Sequence, residues 1–179
     1  MEQVMISKLD RIPVLLIAEN EEPHRFVLKR VFRHLGSNVQ LQFVDNGQQL
    51  LDYLTHSRIC ADAKISPWPD LILLDLHMPQ LGGIEVLNIM RGSKTFRPIP
   101  TIVFSSSDSP HHISEAYASG ANAYLVKVGD FKELVTNLRR MTAFWLQVSR
   151  LPSPPAAADR ARQEGPTSLA IDQSLTTQR

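Results

Sequence analysis

Asp75 is an acidic residue that follows a run of apolar residues, LILL, predicted to be a buried strand. The chain breaks soon afterwards at Met78-Pro79, so the strand is expected to stop at this carboxylate. A carboxylate costs more to remove from water than a neutral side chain, which indicates a chemical use for the position. An ionised carboxylate can attack phosphorus and form an aspartyl-phosphate. Asp75 is therefore a candidate nucleophile.

Other polar side chains follow the neighbouring apolar runs. Glu19 comes after the first run, Ser105 ends the fourth and Lys127 ends the fifth. In an open parallel sheet such residues collect at one edge, beyond the carboxyl ends of the strands. Carboxylates bind a hard divalent cation such as Mg²⁺, while an ammonium and a hydroxyl bind phosphoryl oxygens. Together with Asp75, these three side chains therefore predict a site for a phosphoryl group and Mg²⁺.

The elements that must position these side chains are short apolar runs. Such near-continuous runs are typical of parallel strands covered on both faces, and they are Val14–Ala18, Val39–Val44, Leu71–Asp75, Thr101–Ser105 and Ala123–Lys127. Helical patterns alternate with them. The alternation predicts an α/β fold with a doubly wound, five-stranded parallel sheet in the flavodoxin-like order 2-1-3-4-5.

The composition favours a single globular domain. The chain has 179 residues, 43% of them hydrophobic, and its net charge of +1 gives no reason to expect a nucleic-acid or membrane surface. One cysteine and the absence of a leader or a long apolar run predict a cytoplasmic protein. We expect an N-terminal extension at 1–12, the domain at 13–150 and a disordered tail rich in Pro and Ala at 151–179. The connection from His56 to Pro69 is long for this fold and has no assigned role.

Residues 14 to about 148 resemble the receiver domain of two-component response regulators. The stretches that carry the resemblance are LLIAENE, DLILLDLHMPQLGGIEVL, IVFSSS and GANAYLVK. The ending MTAFWLQVSRLPSPP is similar to that of the single-domain response regulators of bacterial and cyanobacterial phytochromes.

The resemblance implies that Asp75 accepts phosphate and that Mg²⁺ is bound by Glu19, Asp75 and the backbone carbonyl of His77. The phosphate donor would be a sensor histidine kinase, and the resemblance to phytochrome-associated regulators implies a phytochrome. The protein would not be an enzyme, beyond at most removing its own phosphate. No direct DNA binding is expected, and the output would pass through contacts with an unknown downstream protein.

The resemblance also implies a switch. Ser105 would move towards the phosphoryl group, Lys127 would clamp it, and Tyr124 would be the switch aromatic. These movements would remodel the face made by the fourth helix, the fifth strand and the fifth helix. A symmetric homodimer is predicted through this face, helped by the apolar side chains of Phe144, Trp145 and Leu146.

Three positions depart from the usual pattern of the family. Ala18 replaces the first of two adjacent acids, which is expected to weaken Mg²⁺ binding, and the sequence leaves open whether Glu21 or Glu22 compensates. Val128 replaces the proline that usually follows the lysine, so the bond after Lys127 is predicted to be trans. Ser105-Ser106 replaces a Thr-Ala pair, which should change the lifetime of the phosphoryl group.

Two other functions are weaker alternatives. An aspartyl-phosphate phosphatase normally needs a second acid two residues after its nucleophile, and here that residue is His77. A receiver-like module that binds proteins without taking phosphate is favoured by Ala18, but the presence of Asp75, Ser105 and Lys127 argues against it. A zinc site at His77, His111 and His112 lacks the usual ligand spacing, and all three side chains are expected to be exposed.

Overall fold

The computed structural model describes residues 11–59 and 67–152. They contain one sheet of five parallel strands in the order β2-β1-β3-β4-β5. The strands are β1 Val14–Ala18, β2 Gln40–Val44, β3 Leu71–Leu74, β4 Thr101–Ser105 and β5 Ala123–Val126. The predicted fold class and strand order are confirmed. Because β3 and β5 end one residue earlier than predicted, Asp75 and Lys127 lie just beyond the strands, at the ligand-binding edge of the sheet.

Five α-helices connect and follow the strands. They are α1 Glu22–Leu35, α2 Gly47–Ile59, α3 Gly83–Gly92, α4 Pro110–Ala118 and α5 Phe131–Ala143, the last running into a π-helical turn at Phe144–Val148. α1 ends at Gly36, whose φ of 56° lies in the left-handed region that a residue without Cβ adopts at little cost. α5 begins at Asp130, whose carboxylate accepts a hydrogen bond from the Glu133 amide at 2.8 Å.

The sheet separates two hydrophobic cores. Alternate residues of each central strand point to opposite sides, so Leu16 and Leu74 pack with α2 and α3, while Ile17 and Leu73 pack with α1 and α5. β1, β3 and β4 are completely buried, whereas the edge strands β2 and β5 are mostly half-buried. The central strands therefore give the site a rigid base.

Gly83 determines how closely α3 approaches the end of β3. A Cβ at this position would lie 2.4 Å from the carbonyl oxygen of Asp75, closer than real contacts allow. The Gly83 amide donates a hydrogen bond to Leu76 at 3.0 Å. Glycine thus lets the first turn of α3 pack directly against the backbone of Asp75.

Residues at both ends of the described region contact the domain. Arg11 forms an ion pair with the buried Asp70 at 2.6 Å, although it was assigned to the extension. Leu151 packs against the core beside α1 and α5, although it was assigned to the tail. The rest of the predicted tail and extension, 153–179 and 1–10, and the middle of the long connection, 60–66, lie outside the described residues.

Candidate functional site

Asp75 lies at the carboxyl end of β3 and is only 4% exposed. Its amide donates to the carbonyl of Ala18 at 3.1 Å, which continues the pairing with β1 for one residue past the strand. On its other side is Gly83, at the start of α3. The backbone of Asp75 is therefore held from two directions, which limits the positions its carboxylate can take.

Lys127 brings the ends of three strands together. Its ammonium donates to Asp75 Oδ2 and to Glu19 Oε2, both at 2.7 Å. The Lys127 amide donates to the carbonyl of Ser105 at 2.7 Å, which fixes the backbone from which the side chain reaches inward. The described part of the chain contains no cis peptide bond, so the predicted trans bond to Val128 is confirmed.

The charges of this cluster do not balance. Glu19 and Asp75 are two buried carboxylates, 1% and 4% exposed, and they share the single ammonium of Lys127. Buried charge of one sign is costly unless it is paired. Two hard carboxylate ligands and an excess of negative charge fit a divalent cation such as Mg²⁺.

The position of the missing acid and the third predicted ligand, His77, also lie at this edge. Ala18 is 1% exposed and packs in the hydrophobic core, so it supplies no donor atom. The His77 amide lies 3.3 Å from Asp75 Oδ1, which keeps this backbone next to the carboxylate. Metal binding by the His77 carbonyl stays a prediction.

Ser105 is the last residue of β4, the strand next to β3, and its side chain is fully buried. Its hydroxyl is 3.4 Å from His77 Nδ1. The imidazole of His77 is thus a partner of the predicted switch hydroxyl, which sequence reasoning had not identified.

Tyr124 on β5 contacts the segment that follows β4. Its hydroxyl donates to the carbonyl of Ser107 at 2.8 Å, and the Ser107 hydroxyl lies 2.7 Å from His112 Nδ1. The His112 ring is in turn 5.6 Å from that of His77, in an edge-on contact. The prediction that His112 is exposed was wrong: it is half-buried, because α4 begins close enough to the site for its first turn to pack there.

The start of α1 adds two side chains that sequence reasoning missed as a group. His24 Nδ1 lies 3.4 Å from Glu19 Oε1 and 3.7 Å from Glu21 Oε1, and donor atoms of all three residues lie within 4.8 Å of one another. The only sequence signal was the spacing of three between Glu21 and His24 at a helix start. It is too common to be diagnostic.

Glu22 is engaged elsewhere. The Arg25 guanidinium binds both Glu22 and Asp45, and its hydrogen bond to Glu22 lowers the pKa of that carboxyl. Of the two acids considered as replacements for the missing one, Glu21 therefore faces the candidate site and Glu22 is already paired.

The predicted dimer residues occupy different environments. Phe144 is 54% exposed and Trp145 is partly buried, with their rings edge-on at 5.2 Å. Leu146 is only 4% exposed and packs in the core of its own chain, so its assignment to a dimer face was wrong. It follows Leu138 and Thr142 at intervals of four residues, which places it on the buried face of the helix.

Across residues 11–59 and 67–152, no helix has both the length and the apolar character needed to cross a membrane.

The fold agrees with comparisons to known families. The chain matches the family described as the response regulator receiver domain over residues 15–139, and it belongs to that family. The matched residues fall within the predicted domain, 13–150.

Solved structures include relatives connected with light sensing. Response regulator RPA3017, in red light signalling of R. palustris, is 37% identical, with a TM-score of 0.74 over 79% of this chain and 99% of that one. The phosphorylated cyanobacterial phytochrome response regulator RcpA is 25% identical, with a TM-score of 0.71 over 80% and 100% of the two chains.

Curated relatives cover a similar share of this chain. A probable methanogenesis regulatory protein, FilR2 of Methanothrix harundinacea, is 31% identical over 79% of this chain and 88% of its own length. Response regulator Rcp1 of Synechocystis is 26% identical over 78% and 93%. The structure of an Mn²⁺-bound form of Rcp1 has a TM-score of 0.68 and covers 79% of this chain and 99% of that one.

Proposed function

We propose that this protein is a phosphorylation-controlled response regulator that takes a phosphoryl group from a sensor histidine kinase onto Asp75. The observation that carries the proposal is the shared contact of Lys127 with Asp75 and Glu19, both at 2.7 Å, at the ligand-binding edge of the sheet. The arrangement combines a nucleophile, a cation for phosphoryl oxygens and a second carboxylate for a metal.

In the proposed reaction, a carboxylate oxygen of Asp75 attacks the phosphorus of a phosphohistidine in line. The new oxygen–phosphorus bond forms as the phosphorus–nitrogen bond breaks, and the bond electrons stay with the departing imidazole. Lys127 then pairs with a phosphoryl oxygen instead of the free carboxylate. Glu19, Asp75 and the His77 carbonyl would hold Mg²⁺, which would neutralise charge on the phosphoryl oxygens. The chain acts as an acceptor and not as an enzyme on another substrate.

The contacts of Ser105 and Tyr124 support a route for the signal. We infer that the Ser105 hydroxyl leaves His77, 3.4 Å away, to bind the phosphoryl group. Tyr124 is bonded to the carbonyl of Ser107, two residues further along the same segment. A shift of this segment therefore changes the position of Tyr124 and the start of α4 together.

The partner is proposed to be a phytochrome-type sensor kinase. The similarity to RPA3017 and RcpA supports this assignment, whereas FilR2, which is 31% identical, is a probable methanogenesis regulatory protein. The output is proposed to pass through a homodimer or a downstream protein that recognises the face of α4, β5 and α5.

The deciding experiment measures the transfer of labelled phosphate to this protein from a panel of phosphorylated histidine kinases. The panel includes red-light-responsive kinases. We expect label to reach the wild type and the exposed-site control Asp108→Asn, but not Asp75→Asn, whose amide has a similar shape and is not nucleophilic. Equal labelling of Asp75→Asn would disprove the assignment of Asp75. A wild type unlabelled by every kinase and by acetyl phosphate would favour the phosphate-independent module.

A further inference from the structure

We propose that His24 and Glu21 extend the divalent-cation site, and that the imidazole of His24 biases it from Mg²⁺ towards transition-metal dications such as Co²⁺. The inference rests on the proposed function, because it concerns the cation of the same site. It assigns a role to two side chains at the start of α1 that the phosphorylation chemistry leaves unused.

The first argument is the geometry of the donors. His24 Nδ1 lies 3.4 Å from Glu19 Oε1 and 3.7 Å from Glu21 Oε1. Adjacent ligands of an octahedral ion with bonds of about 2.1 Å lie about 3 Å apart. Small rotations of exposed side chains would close the remaining difference, since His24 and Glu21 have 39% and 56% of their side chains exposed while Glu19 is held at 1%.

The second argument is that a cation already approaches this imidazole. The Lys127 ammonium lies 3.4 Å from His24 Nδ1 and 2.7 Å from Glu19 Oε2. The nitrogen therefore faces the same positive group as the buried carboxylate. A dication bound by Glu19 would lie within reach of it when Lys127 turns to the phosphoryl group.

The third argument is that alanine at position 18 leaves the metal site without one of its usual carboxylates. With no carboxylate at Ala18, the end of β1 supplies Glu19 alone. Asn20, the next residue, has a buried side-chain oxygen without a hydrogen-bond partner among the described residues, which is unusual for a folded chain. The loop between β1 and α1 therefore retains acceptor capacity next to a depleted metal site.

The class of cation follows from the type of donor. Mg²⁺ prefers oxygen ligands and water, whereas imidazole nitrogen favours first-row transition metals, with affinity rising from Mn²⁺ through Co²⁺ to Ni²⁺. A site in which an imidazole nitrogen takes the place of a carboxylate oxygen should therefore lose more affinity for Mg²⁺ than for Co²⁺. This chain would differ in selectivity from receivers whose site contains only oxygen donors.

The test is calorimetric titration of the full chain with Mg²⁺ and with Co²⁺. The variants are His24→Gln, Glu21→Gln and the control His111→Gln, which removes a histidine with an 80% exposed side chain on α4. His24→Gln should weaken Co²⁺ binding about tenfold, equivalent to about 1.4 kcal/mol, and change Mg²⁺ binding much less. Glu21→Gln should weaken both cations, and His111→Gln neither.

A spectroscopic readout makes the result independent of phosphorylation. In NMR spectra, addition of Zn²⁺ should shift the imidazole nitrogen resonances of His24, both in the wild type and in His111→Gln. Equal Co²⁺-to-Mg²⁺ affinity ratios in the wild type and His24→Gln, or unshifted His24 resonances, would overturn the inference. Phosphorylation of His24→Gln in Mg²⁺ would leave the proposed function intact in that case. Conversely, His24-dependent Co²⁺ binding in a chain that never takes phosphate would overturn the proposed function alone.

Discussion

The Lys127 ammonium lies 2.7 Å from the Asp75 carboxylate although the two residues are 52 positions apart and their strands are separated in the sheet by β4. The lysine lies one residue beyond β5 and reaches across the end of β4, and its ammonium also contacts Glu19, which follows β1. One flexible cation thus holds two buried carboxylates together. Its removal, or its redirection to a phosphoryl group, should change the stability and the metal affinity of the site.

Lys127→Ala should destabilise the fold and make it depend on metal. Without the ammonium, Glu19 and Asp75 keep buried charge of the same sign, which should lower the free energy of unfolding by about 3 kcal/mol at neutral pH. Mg²⁺ should restore part of this loss because it binds only the folded site. Urea unfolding with and without Mg²⁺ measures both effects. The exposed Lys132→Ala is the control, and an unchanged midpoint in Lys127→Ala would contradict the prediction.

Ala18→Asp should make the metal-free protein less stable and should make it bind Mg²⁺ more tightly. Ala18 is 1% exposed, so a carboxylate there is buried next to Glu19 and should lower the free energy of unfolding by about 1–3 kcal/mol without metal. The added charge should tighten Mg²⁺ binding about tenfold, by calorimetry, and speed phosphorylation at low Mg²⁺. Ala18→Asn separates charge from shape. If it tightened Mg²⁺ binding equally, the electrostatic explanation would be wrong.

Tyr124→Phe should loosen the segment between β4 and α4 while preserving phosphorylation. The substitution removes only the 2.8 Å hydrogen bond to the Ser107 carbonyl, worth about 1 kcal/mol. Hydrogen exchange should accelerate at the Ser107 and Ser109 amides, and the transfer rate from a kinase should remain within about twofold, well under 1 kcal/mol. The exposed Tyr117→Phe should leave exchange unchanged. A large loss of phosphoryl transfer in Tyr124→Phe would show that the tyrosine acts in the chemistry itself.

Phe144→Ala and Leu146→Ala should separate association from folding. Leu146 is buried in its own core, so its truncation should cost about 3 kcal/mol of unfolding free energy. Phe144 is 54% exposed, so its truncation should change monomer stability by less than about 0.5 kcal/mol and weaken dimerisation. Sedimentation equilibrium, with and without a phosphodonor, measures association. A wild type that stays monomeric at high concentration in both conditions would refute the dimer.

The sequence alone was sufficient for the sheet and for most of the cluster. Runs such as LILL and TIVFS are nearly unbroken apolar segments, and β-α alternation leaves few arrangements for them. Polar residues at the ends of parallel strands must meet at one edge, so Glu19, Asp75, Ser105 and Lys127 could be grouped before their contacts were known. These conclusions depend on local patterns and on chain topology, both of which are written in the residue order.

Only the tertiary structure decided which side chains touch. It placed Glu21 beside His24 while Arg25 took Glu22, and it buried Leu146 where the apolar sequence had suggested an exposed face. It also placed His77 beside the hydroxyl of Ser105. Neighbouring residues of one helix or loop point in different directions, and a few ångströms of packing determine which of them meets a distant strand. Sequence spacing determines the face to which each side chain points, but the residue that it contacts there belongs to an element far away in the chain.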